Sequence, residues 1–154
     1  MISHRMGRRT NLLLTAIAAF AVAAATAACG TQHIHVPKAD PNFAADYQAA
    51  HLFHERCAGC HTLSYAATMG SAANVRTAEA INGPNFNIRC ERPVARVLYA
   101  IENGGFSGAY MPANIFVGPQ AREVAMFVAR FSGRQAPPEP LSTPCQQQPI
   151  GTLP

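Results

Sequence analysis

The 154-residue chain is 49% hydrophobic and 13% charged, which suffices for one modest core and argues for a single domain. Trp is absent, and the formal charge of +4 includes Arg5, Arg8 and Arg9 of the amino-terminal leader, so the remainder is near neutral. This balance excludes a nucleic-acid binder built on dense basic patches with interleaved aromatics.

Residues 1–9 carry those three arginines and no acid, and residues 11–28 are alanine-rich and uncharged, with Leu12, Leu13, Leu14, Ile17, Phe20 and Val22. This is the layout of an export signal over 1–28. A retained membrane helix over 12–28 is the rival, at the short limit for spanning a bilayer. Two processing routes compete. Ala25-Thr26-Ala27 suits ordinary cleavage, whereas Thr26-Ala27-Ala28-Cys29 before Gly30 resembles a bacterial lipoprotein box that acylates Cys29, with Thr where Leu is usual.

Residues 29–39 read as a polar tether. His33 and His35 lie within it, too few ligands to close a metal site. Asp40-Pro41 predicts a helix start, Asp capping and Pro in the first turn, with the helix running to about Glu55. Phe43, Tyr47, Ala50 and His54 mark its stripe, broadened by Leu52 and Phe53. Residues 62–92 read mostly as loop, with one helical turn at 77–81. Pro93 opens a second helix with Val94, Val97, Leu98 and Ile101 at helical spacing, stopped by Asn103-Gly104-Gly105. After an irregular stretch, Gly118-Pro119 starts a third helix with Val124, Phe127, Val128 and Phe131 on one face, closed by Gly133. Residues 134–154 hold six of the twelve prolines and form an extended tail. No segment alternates polar and apolar residues for long, so strands are not expected beyond a short pairing.

The chemistry concentrates in Cys57-Ala58-Gly59-Cys60-His61. Two thiols three positions apart can add to the two vinyl groups of one haem, and the adjacent imidazole then reaches the iron. A thioredoxin-type dithiol would want a preceding strand, and this motif follows a helix. A zinc site would need a second ligand pair of similar spacing, and Cys90 and Cys145 lie too far apart. A second axial ligand comes from Met69, Met111 or Met126. Met126 sits among helix-core residues, and Met69 follows His61 too closely to cross to the opposite face. Met111, in the irregular Gly108-Ala109-Tyr110-Met111-Pro112 segment fifty positions after His61, is the choice. His51 and His54 lie on the helix entering the motif and are poorly directed to that face. Parity then assigns the five cysteines: Cys57 and Cys60 to haem, Cys29 to lipid, and Cys90 with Cys145 to a disulfide.

Over residues 40–133 the chain resembles the class I c-type cytochromes. The markers stand in that family's order: Phe53 four residues before Cys57, the haem pentapeptide, Asn82-Gly83-Pro84-Asn85-Phe86, Met111-Pro112 and a terminal apolar helix. The resemblance implies an all-α cytochrome c fold, with three or more helices around one covalently bound haem c and no substantial sheet. First and last helices should cross with Ala49 and Phe53 facing Phe127. Pro84 should accept the Nδ1 proton of His61, and Asn114 should orient the Met111 sulfur. Arg76 and Arg89 are candidate partners for the haem propionates. An insertion at 64–79, the tail and the Cys90–Cys145 pair depart from the pattern.

The implied function is single-electron transfer in a membrane-bound respiratory chain, not enzymatic, with redox proteins as partners and no small-molecule substrate or nucleic acid. The implied location is the outer face of the cytoplasmic membrane, held there through the lipid. The alternatives are a haem-bearing subunit of an oxidase or reductase complex, or a gas sensor with an open iron position. A haem-free lipoprotein with a purely structural role is a further rival.

Overall fold

A computed structural model describes residues 33–70, 83–106, 111–138, 140 and 142–154. The expected signal 1–28, the acylated Cys29, residues 71–79 of the insertion with Arg76, the turn at 77–81, and Asn82 lie outside the described residues.

Helix α1 spans Phe43–Cys57. Asp40 and Pro41 make the turn before it and do not cap it: Asp40 Oδ1 accepts the Asn42 N–H at 2.9 Å, and the Asp40 carbonyl accepts that of Phe43 at 3.0 Å. Its buried face is Asp46, Ala49, Ala50, Phe53 and Cys57. The stripe read from the sequence is displaced from this face. Tyr47 and His54 are exposed; the Tyr47 ring stacks on Phe43 at 5.6 Å and meets His51 edge-on at 4.8 Å. The alanines turn inward because they let a neighbouring helix approach closely.

The expected all-α fold class requires correction. Strand β1, Thr62–Leu63, pairs antiparallel with β2, Thr68–Met69, so the described residues combine three α-helices with a small two-stranded sheet. Among them, no group of three or more His, Cys, Asp or Glu side chains could hold a metal ion. The local cause of the pairing is plain. A 3₁₀ turn, Ser64–Ala66, followed by Ala67 at φ 55°, reverses the chain, and the Thr68 hydroxyl accepts the Leu63 N–H at 2.8 Å. β-branched Thr62 and Thr68 suit the extended conformation on either side.

Helix α2 spans Val94–Asn103 and buries Val94, Val97, Leu98 and Ile101. Gly104, at φ 90°, ends it by returning its N–H to the Ala100 carbonyl, a left-handed position that glycine takes without strain. Helix α3 spans Gly118–Phe131, with Val124, Phe127, Val128 and Phe131 buried beside Ala121, Ala125 and Ala129. It packs against both α1 and α2. Phe53 meets Phe127 edge-on, ring centroids 6.2 Å apart, where the first and last helices touch.

Both chain segments flanking the helices are docked. The His35 N–H donates to the Tyr65 carbonyl at 3.0 Å and Val36 is buried, so the second half of the expected tether lies on the core. At the other end Cys90 and Cys145 form a disulfide. Closing a loop of 55 residues restricts the unfolded chain and is worth about 4 kcal/mol on the entropy model. Ile150 and Leu153 then pack against the core.

One buried charge pair joins α1 to α3. Arg130 Nη1 lies 2.6 Å from Oδ1 of Asp46, which is 1% exposed, while Asp46 Oδ2 has no partner. Burial pushes the Asp46 carboxyl above its ordinary 3.8, against the pull of Arg130. A raised acid favours the fold in its protonated form. That contribution is complete below 3.8 and is lost as pH rises through the folded-state value. Arg130→Ala, which strands the carboxylate, should cost about 3 kcal/mol in urea unfolding at neutral pH. The cost should shrink at pH values near 4, and equal costs at both would show that charge is not its source.

Candidate functional site

The C-terminal end of α1 delivers the motif. The N–H groups of Cys60 and His61 both return to the Cys57 carbonyl, at 3.1 and 2.9 Å, so the chain turns tightly through Ala58 and Gly59. Gly70 packs on this turn, and a Cβ there would strike the backbone of Ala58, Gly59 and Cys60. Residues 64–70 of the expected insertion therefore fold back to support the motif, with the Gly70 N–H donating to the His61 carbonyl at 3.1 Å.

Cys57, Cys60 and His61 line one cleft, and Met111 lines it too. Phe53, Pro84, Phe86, Val97, Ile101, Ile115, Val124 and Val128 are among the residues that complete the wall. Counting its open mouth, the cleft holds about 1170 Å³ of free space.

His61 is buried and closely confined. Its ring lies 4.6 Å from that of Phe86 and nearly parallel to it. On Gly83, a Cβ would fall onto the imidazole atoms themselves. Nδ1 lies 3.2 Å from the Pro84 carbonyl, which can only accept, so Nδ1 carries the proton and Nε2 keeps the lone pair. Burial holds the imidazole below its usual 6.5, outweighing the Pro84 hydrogen bond, so the ring is neutral at pH 7.

The cysteines differ. Cys60 is exposed, whereas burial pushes the Cys57 thiol up to about 12, so it is protonated at neutral pH. A dithiol exchanger needs a low-pKa, accessible thiolate, and Cys57 offers neither. Both thiols are unpaired.

Of the three downstream methionines, Met111 alone reaches the cleft. It is half-buried, and Gly105, at φ 79°, leaves room for its side chain. Met69 is 63% exposed, and Met126 packs against the core beside a separate pocket. His54 hydrogen-bonds through Nδ1 to the Ala66 carbonyl at 2.9 Å, and His51 meets the Tyr47 ring edge-on; neither lines the cleft. Asn114 is exposed at φ 54° and does not line it either; its N–H donates to the Glu102 carbonyl at 3.1 Å.

Arg89 does line the cleft, with its Nε 2.8 Å from Glu91 Oε1. Arg56, Glu91, Arg96 and Phe106 share that wall and were not singled out from sequence. The available signal was one acid, Glu91, set among Arg89, Arg92 and Arg96.

The chain matches no family model, no curated protein and no solved structure. The site is therefore judged on its donor set. One buried and one exposed thiol, one lone-pair imidazole nitrogen, one thioether and an apolar wall fit a haem attached through thioethers. Cys57 and Cys60 would hold the macrocycle, and His61 and Met111 would hold its iron.

Gly83→Ala should overpack the imidazole and cost about 2 kcal/mol of stability. The His61 ring proton resonances should shift, since the added methyl displaces the ring from Pro84. Unchanged stability and unchanged resonances would show that the glycine is not confining the ring.

Proposed function

We propose that this chain is a single-electron carrier of the c-type cytochrome kind, holding one haem c through Cys57 and Cys60 with His61 and Met111 as axial ligands. The observation that carries the reading is the convergence of these four side chains on one apolar cleft, with the His61 Nε2 lone pair left available by the Pro84 hydrogen bond. The order of sequence markers shared with class I c-type cytochromes supports the same function.

When bound, the haem iron supplies a one-electron couple between its ferrous and ferric states. The chain's own residues set the conditions. Pro84 fixes the imidazole plane and increases its basicity by accepting the Nδ1 proton. Phe53, Phe86, Val97 and Ile101 give the cleft an apolar wall, which disfavours extra positive charge and raises the potential. A Met111 thioether favours the ferrous state over what a second imidazole would give.

Residues 1–28 export the chain, Cys29 is acylated, and the lipid keeps the carrier at the outer face of the cytoplasmic membrane, where it exchanges electrons with respiratory redox proteins. Among the described residues no helix is long and apolar enough to cross a membrane. Cys29→Ser should move the protein from the membrane to the soluble fraction and remove an acyl adduct from its intact mass. Retention on the membrane would argue for a signal anchor instead.

The ligand assignment is tested by spectra of the oxidised and reduced protein purified from membranes. Met111→Ala should abolish the weak near-infrared band of methionine sulfur on ferric iron and lower the potential. Retention of both would overturn Met111 as ligand.

A further inference from the structure

Side chains of residues 89–92 divide between the cleft and the carboxy-terminal tail. Arg89 and Glu91 line the cleft, whereas Cys90 is bonded to Cys145 and Arg92 reaches the Ala129 and Gln148 carbonyls on the other side.

The inward side carries a charge cluster. Glu91 is 7% exposed, and its two oxygens lie 2.8 Å from Arg89 Nε and 3.6 Å from Arg96 Nε. The Arg96 guanidinium also rests 4.1 Å over the Phe106 ring, which lines the cleft. Arg56 from α1 and the neutral His61 are the other titratable groups of this cleft besides Cys57 and Cys60. Burial raises the Glu91 carboxyl above its ordinary 4.5, against both arginines, so keeping it charged depends on their placement.

The outward side is held by the carboxy-terminal tail. Besides the disulfide, the Val94 N–H donates to the Ile150 carbonyl at 2.7 Å, and Gln146 Nε2 donates to the Ser132 carbonyl at 3.3 Å. The Ser132 hydroxyl in turn accepts the Glu91 N–H at 3.0 Å. Gly133 abuts the disulfide so closely that a Cβ would meet Cys145.

We propose that residues 142–154 act as an external brace that positions Glu91, and with it Arg89 and Arg96, against the cleft, so that the tail tunes the redox group held there. This rests on the haem reading above. A fixed carboxylate in the cleft wall favours ferric iron and lowers the potential. Releasing the tail lets Glu91 move and hydrate, which weakens that effect. Glu91 and Cys145 are thus positioning residues.

The test uses the full-length haem protein, with Cys90→Ser/Cys145→Ser, Glu91→Gln, and all three changes together. Equilibrium redox titration should show that bridge loss and Glu91→Gln each shift the one-electron equilibrium toward the ferrous form by about threefold or more. The triple variant should equal Glu91→Gln alone, because the brace acts through that carboxylate. An unchanged potential after bridge loss, or full additivity in the triple variant, overturns the proposal. Amide exchange gives a readout that needs neither haem nor the Glu91 variant. Bridge loss should speed exchange at Glu91 and Val94 by about tenfold or more while Ala50 and Phe127 keep their protection. Protein without pigment would sink the haem reading alone; slow exchange at Glu91 and Val94 without the bridge would sink the brace.

Discussion

A buried neutral imidazole has one N–H to place and one lone pair to present, and water is not there to accept the first. In this chain the Pro84 carbonyl accepts it, and Phe86 and Gly83 press on the ring. Once that proton is committed to Nδ1, the tautomer follows, and Nε2 becomes the only nitrogen with a lone pair to offer. The rest of the site is arranged around this constraint. The α1 C-terminus sets the two thiols next to the ring, the short β1–β2 pairing with Gly70 supports the turn between them, and the loop before α3 brings Met111 to the same cleft.

Packing keeps that arrangement in register. Close approach of α1 to α3 through Ala49, Ala50 and the Phe53–Phe127 contact fixes where α1 ends, and thereby where Cys57 begins the motif. The Asp46–Arg130 pair crosses the same interface at a desolvation cost, which makes it a device for register more than for net stability. The tail closes the molecule from the other side, and its disulfide lies one residue from both Arg89 and Glu91 of the cleft wall.

The parts of this arrangement differ in how plainly sequence announces them. Helices α2 and α3 are marked by strong helical spacing of Val, Leu, Ile and Phe and by glycine stops, and their buried faces are those residues. The face of α1 is hidden because it is lined by alanines and an aspartate, whose burial depends on a partner helix that no local pattern reveals. The sheet is equally silent: two residues per strand carry no alternation, and its turn depends on Ala67 in a left-handed conformation that composition does not mark. The grouping of Cys57, Cys60 and His61 reads directly, because they are close neighbours in the chain. Glu91 does not, since its significance comes from burial between two arginines and from a disulfide partner 55 positions away.

The central claim is a haem joined to the polypeptide by bonds to both thiols. It is tested most directly by denaturing the purified protein and extracting it with acidified organic solvent. Pigment that stays with the polypeptide, and is lost from it in Cys57→Ser/Cys60→Ser, is the predicted result. Pigment that passes wholly into the solvent, or a purified chain with no haem absorbance, would contradict it.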